Sequence, residues 1–106
     1  MILITGASGF IGGALSDYLE KANFKIRRSA RNKISQKYFM LNLGNASEIE
    51  NSCKEVDVVI HHASLDYLQS EKNFSEAKKI NFHATKKLYK EAVKNNVSKF
   101  IYFSTA

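Results

Sequence analysis

Residues 2 to 12, ILITGASGFIG, set three glycines, Gly6, Gly9 and Gly12, between an apolar run and a helical pattern. A strand that ends in a glycine turn and leaves it as a helix has to return across a sheet, so this stretch constrains the fold more than any other. Ile2 to Thr5 read as a strand buried on both faces. From Phe10 to Lys21 the residues Ile11, Ala14, Leu15, Tyr18 and Leu19 recur at helical spacing.

The same alternation continues along the chain. A second, more polar strand is expected around Phe24 and Ile26, a loop over 32–36, and a third short strand at Tyr38 to Leu41. Ala46 to Cys53 reads as a short helix that starts near Asn45 or Ser47. Val56 to His61 is a second apolar run, and within 72–95 the residues Phe74, Ala77, Ile80, Ala84, Leu88 and Ala92 form one helical stripe. Lys99 to Ser104 ends the series as a fifth strand. The expected fold class is α/β: a Rossmann-type, doubly wound parallel sheet with right-handed crossovers and strand order 3-2-1-4-5, left incomplete on its C-terminal side.

At 106 residues the chain is one domain, 1–106, with room for a cofactor site and not for a second, substrate-binding domain. Cys53 is the single cysteine, which rules out an internal disulfide and a multi-cysteine metal centre. The 16 Lys and Arg against 10 Asp and Glu give a net charge of +6, but the lysines are dispersed. Lys86, Lys87, Lys90 and Lys94 read as the solvated face of the long helix, so a nucleic-acid partner is not expected. No apolar run reaches membrane-spanning length and no leader pattern opens the chain, so a cytoplasmic location is expected.

Each glycine has a physical task if the turn holds a pyrophosphate. Gly6 permits the tight turn, Gly9 lets the backbone approach the anion, and Gly12 lets the helix pack closely. The open N–H groups of the helix start then face the anion.

With these residues in view, the sequence resembles the extended short-chain dehydrogenases/reductases, the branch of NAD-dependent epimerases and dehydratases. TGASGFIG matches the family's opening motif, and DVVIHHAS at 57–64 resembles its fourth strand. INFHATKKL at 80–88 resembles its Asn-x-x-Gly-Thr-x-x-Leu helix, and VSKFIYFSTA at 97–106 resembles the strand leading to the active-site hydroxyl. The resemblance implies that Gly6, Ser8, Gly9, Phe10, Ile11 and Gly12 bind the pyrophosphate, and that Ala63 and Ser64 line the cofactor. It also implies that Asn81 supports that end of the site, that Ser104 lies beside the cofactor, and that Thr105 is the catalytic hydroxyl. Asn42-Leu43 stands where the family keeps an Asp-hydrophobic pair at the adenine, and Ala84 replaces a glycine.

NAD sites of this fold carry an acid about 20 residues past the glycines, yet no Asp or Glu occurs between Glu20 and Glu48. Arg27, Arg28, Arg31 and Lys33 occur there instead. Arg31 sits just past the acid's place, and a guanidinium can pair with a ribose 2′-phosphate, so among NAD(P) cofactors NADP is favoured.

The family's catalytic pair is Tyr-x-x-x-Lys. Four places after Tyr18, Tyr38, Tyr67, Tyr89 and Tyr102 stand Ala22, Asn42, Glu71, Val93 and Ala106, so the pair is absent. The chain is expected to be the NAD(P)-binding part of a longer nucleotide-sugar epimerase, dehydratase or reductase, inactive alone, whose fifth strand exposes an edge prone to self-association. His61, His62, His83 and Cys53 lack metal-ligand spacing, and no G-x-S-x-G elbow marks a hydrolase. Two other readings stay open: a non-catalytic NADP-sensing protein of the same superfamily, and a basic nucleic-acid-binding module.

Overall fold

Ile2, Leu3 and Ile4 have no polar side-chain atom with which to meet water, and the central place of their strand in a sheet buries Leu3 and Ile4 fully and Ile2 in part. The computed structural model describes residues 1–31, 35–62 and 74–103, the backbone alone over 74–81. Its elements are β1 (Ile2–Ile4), α1 (Phe10–Lys21), β2 (Ile26–Ala30), β3 (Phe39–Met40), α2 (Ala46–Ser52), β4 (Val58–His61), α3 (Phe74–Lys94) and β5 (Lys99–Tyr102).

The five strands are parallel and ordered β3-β2-β1-β4-β5, the doubly wound arrangement expected from the alternation. Ile4 stands beside Arg28 on one side and Ile60 on the other, and His61 beside Tyr102. Because side chains alternate along a strand, β1 feeds two cores. Leu3 packs with Cys53, Val56, Val59, Leu88 and Ala92 on the face covered by α2 and α3. Ile4 packs with Ala7 and Ile60 on the opposite face, where Leu15 and Leu19 of α1 close over them.

The face that α1 turns inward is only part of the one its apolar residues suggest, for Leu15 and Leu19 lie on it and two others do not. Ile11 and Tyr18 are exposed, whereas Gly12 and Ser16 are buried. Small residues at these two positions let the helix approach the sheet, and Ser16 Oγ satisfies itself on the Gly12 carbonyl at 2.7 Å. Phe24, expected in β2, is exposed: Asn23 adopts φ 71°, ending α1 in a left-handed turn, and the strand starts two residues later. Val56 likewise precedes β4, in a turn where its N–H donates to the Cys53 carbonyl. Asn45 caps α2, its side chain accepting from the Glu48 N–H. At the β5 edge Ile101, Tyr102 and Phe103 all stand exposed.

Candidate functional site

Five parallel strands bring their C-terminal ends to one side of the sheet, and the glycine turn lies there between β1 and α1. The turn is held to both neighbouring strands. The Thr5 N–H donates to the Ile60 carbonyl at 3.0 Å and the Ala7 N–H to the Ser29 carbonyl at 3.0 Å. Gly6 takes φ 65°, a conformation that disfavours any side chain. Gly12 is constrained differently: a Cβ there would fall 2.1 Å from the Gly6 carbonyl oxygen. The helix start and the turn therefore touch backbone to backbone.

Gly9 is the N-cap of α1, with no side-chain cap and no acidic residue in the first turn. The first intrahelical bond of the turn runs from Gly13 N–H to the Gly9 carbonyl at 2.8 Å, so the amides of Phe10, Ile11 and Gly12 point ahead of the helix. Ser8 and Gly9 are exposed, and the Phe10 side chain stands almost wholly in solvent. What these residues offer an anion is backbone N–H and the positive end of the helix dipole. A Gly9 Cβ would lie 3.4 Å from the nearest atom, an ordinary contact, so the glycine is not demanded by the turn itself.

Behind the turn lies a polar cluster inside the apolar core. The Thr5 hydroxyl lies 2.8 Å from His61 Nδ1 and accepts from the His62 N–H at 2.8 Å, while His61 Nε2 lies 2.9 Å from the Thr85 hydroxyl on α3. Thr5 and His61 are buried. Burial first, then the neighbouring His62, lowers the His61 pKa from 6.5 to about 4, so the ring is neutral near pH 7. Tyr102 of β5 stacks on it at 5.3 Å between ring centroids. Sequence patterns did not single out this cluster. Its signal is a threonine and a histidine at the ends of the two most apolar runs.

The three arginines of β2 and its end fare differently. Arg27 donates to the Ser52 and Lys54 carbonyls at 2.7 and 2.9 Å, at the end of α2 and just beyond it, and its guanidinium lies 5.2 Å from the Phe39 ring centroid. Arg28 is buried and donates to Asp17 and Glu20 of α1 at 2.8 and 3.0 Å. Asp17 and Glu20 are three residues apart, which puts both on the helix face above β2. Arg31 is exposed immediately past the C-terminal end of β2, on the side of the sheet where the glycine turn lies.

Asn42 follows β3 at the same side. Its side-chain oxygen accepts from the Gly44 N–H at 2.9 Å, and its own N–H donates to Glu48 at 2.9 Å. Leu43 is turned away, packed against the core that holds Leu3 and Cys53. Asn81 lies within α3, its side chain outside the described residues; Ala63, Ser64, Ser104 and Thr105 lie outside them altogether. Cys53 is a buried free thiol whose pKa is raised, chiefly by burial. Among the described residues no three of His, Cys, Asp and Glu gather to hold a metal ion, and no helix is long and apolar enough to cross a membrane.

An open helix start, a turn opened by Gly6 and closed by Gly9, and a cation at the end of β2 suit a ligand that carries phosphates and is bound along the strand ends. The family model of the NAD dependent epimerase/dehydratase family matches residues 2–106. Solved structures agree in fold. MoeE5 in complex with UDP-glucose and NAD is 25% identical with a TM-score of 0.83, over 99% of this chain and 36% of its own. The UDP-N-acetylglucosamine 4-epimerase from Bacillus cereus is also 25% identical, with a TM-score of 0.80 over 98% of this chain and 39% of its own. The UDP-glucose 4-epimerase of Thermus thermophilus, in complex with NAD, superposes with a TM-score of 0.84 at 19% identity, over 98% of this chain and 37% of its own. The chain thus spans little more than a third of the length of these proteins. No curated protein matches it by sequence.

Proposed function

Because the chain belongs to the NAD dependent epimerase/dehydratase family, we propose that it is the cofactor-binding part of an enzyme that acts on a nucleotide sugar by hydride transfer at a sugar carbon. The observation that carries this reading is the uncapped start of α1, held against the Gly6 turn by Gly12. Three leading amides and a helix dipole, with no carboxylate in the first turn, favour a pyrophosphate at that point. The substrate class is supported by MoeE5, whose two matched structures hold UDP-glucose or UDP-glucuronic acid with NAD, and by the name of the B. cereus UDP-N-acetylglucosamine 4-epimerase.

The nicotinamide ring, when bound, supplies the hydride acceptor and donor. This chain's residues hold and orient the dinucleotide. Gly6, Ser8, Gly9, Phe10, Ile11 and Gly12 would form the turn that takes the pyrophosphate, chiefly through the open N–H groups of Phe10, Ile11 and Gly12, and Asn42 would meet the adenine with its amide. By the family resemblance, Ala63, Ser64 and Ser104 would line the cofactor, Asn81 would support that end of the site, and Thr105 would orient the sugar oxygen with its hydroxyl. The tyrosine and lysine that would move the proton are not among these 106 residues.

Arg31 favours NADP over NAD within this reading. Arg27 and Arg28 are engaged by carbonyls and carboxylates, so Arg31 is the arginine of the three that stands open at the end of β2. A guanidinium there attracts a 2′-phosphate and offers a 2′-hydroxyl no acceptor.

Thermal-shift measurements test the site. NADPH is expected to raise the melting temperature of the wild-type chain, and Gly9→Val to abolish that rise while the fold persists, because the backbone at Gly9 tolerates a side chain and the approaching phosphate does not. An equal rise in Gly9→Val would refute the assignment.

A further inference from the structure

We propose that His61 is a positioning residue for the dinucleotide site, a buried imidazole that sets where the backbone leaves β4 relative to the glycine turn after β1. The inference rests on the cofactor reading above. It starts from a polar group placed where an apolar one would serve packing better. His61 is 0% exposed, at the end of a strand whose other residues are valine and isoleucine. Burying an imidazole there requires partners for both nitrogens, and each comes from a different element. Nδ1 meets Thr5, the residue directly before Gly6, and Nε2 meets Thr85 on α3.

The Thr5 hydroxyl has a second task. It accepts the His62 N–H at 2.8 Å, which fixes the first peptide beyond β4. One hydroxyl therefore joins the residue that opens the glycine turn to the last residue of β4 and to the backbone leaving it. The Thr5 N–H on the Ile60 carbonyl ties the same two strands a step earlier. A phosphate-bearing ligand held by the α1 amides and extended along the strand ends would pass over both exits, so their separation matters to its fit. Thr85 holds the far side of the ring, and Tyr102 stacks on its face, which limits the ring's rotation.

The two contacts can be separated by substitution. The amide of asparagine reaches as far as Nδ1 and can keep the Thr5 contact, whereas glutamine reaches as far as Nε2 and can keep the Thr85 contact. Binding of NADPH to wild type, His61→Asn, His61→Gln and His61→Leu would be titrated by fluorescence, with the melting temperature of each protein recorded. The proposal expects Kd for His61→Asn within about threefold of wild type, and for His61→Gln and His61→Leu a rise on the order of tenfold, the loss of one buried hydrogen bond. The melting temperatures of the Asn and Gln variants should fall alike. Equal Kd in the Asn and Gln variants would overturn it, since affinity would then not depend on which contact is kept.

If His61→Leu does not fold, the Asn and Gln pair still decides. A second measurement uses the unaltered protein: adding NADPH should shift the ¹⁵N resonances of the His62 amide and of His61 Nδ1, and unchanged resonances would overturn the proposal. Failure of the cofactor reading looks different. There the wild type binds neither NADPH nor NADH, and both inferences fall together.

Discussion

Thr5 and His61, 56 residues apart in sequence, meet at 2.8 Å through hydroxyl and imidazole with both side chains sealed from water. The pairing has a consequence for stability in acid. In the unfolded chain the ring takes a proton at about 6.5, whereas in the fold burial holds it neutral until about 4. Its contribution to stability is complete above pH 6.5 and is lost as the pH falls toward 4, by roughly 3 kcal/mol in all. Asp17, whose pKa is lowered first by its hydrogen bond from Arg28, acts in the same direction but at lower pH. Urea unfolding at steps from about pH 7 down to about pH 4.5, the range that spans most of this loss, should show a steeper decline for wild type than for His61→Asn. Parallel curves would mean that the buried ring is not the source.

Arg28 is buried between two carboxylates that are themselves exposed, and its Nε has no partner. Truncation to alanine removes both ion pairs and leaves a cavity under α1, for an expected loss of about 2 kcal/mol. Asp17→Asn should lower the melting temperature by less, because Glu20 still accepts from the guanidinium. Chemical denaturation of the two variants gives the comparison; a larger loss in Asp17→Asn would contradict this account of the triad.

Gly12 and Gly9 should separate folding from binding. A methyl at position 12 would meet the Gly6 carbonyl, so Gly12→Ala must displace the turn and should lower stability by about 2 kcal/mol as well as dinucleotide affinity. Gly9→Ala should keep the wild-type melting temperature and weaken binding only. Melting curves with and without NADPH check both, and equal melting temperatures for the two variants would show that the helix start does not press on the turn.

Glu55 adopts φ 63° between α2 and β4, a left-handed conformation that costs a side-chain-bearing residue about 1 kcal/mol. Glu55→Gly relieves that cost against a larger chain entropy, so a gain of about 0.5 kcal/mol is expected from urea unfolding. A loss would point to a contact of the Glu55 side chain that the fold needs.

The strand order, the placing of the glycines and the open start of α1 were legible in the sequence, because each follows from apolar runs and their spacing. Leu3 and Ile4 had to be central, and a strand, a glycine turn and a helix had to return across the sheet. The inward face of α1 was legible only in part: Leu15 and Leu19 of the expected stripe do pack on the core. Periodicity weights large apolar residues, and here closeness to the sheet selects Gly12 and Ser16 beside them while Ile11 and Tyr18 face water. The roles of the arginines were equally hidden, since identical side chains at 27, 28 and 31 differ only in what the fold sets beside them. Leu43 lay next to Asn42 in the expected adenine pair, but the half-buried side chain went to the core. The Thr5–His61–Thr85 cluster joins residues from three elements, and no local pattern brings them together.

In the proposed site the strand ends and the start of α1 hold a nicotinamide dinucleotide, with Arg31 at the 2′-phosphate of its ribose. Fluorescence titration of the wild-type chain and of Arg31→Ala with NADPH and with NADH decides whether they do. Wild type is expected to bind NADPH about tenfold more tightly than NADH, one charge-assisted contact, and Arg31→Ala to remove the difference by weakening NADPH alone. Binding of neither dinucleotide by the folded wild-type chain would contradict that assignment.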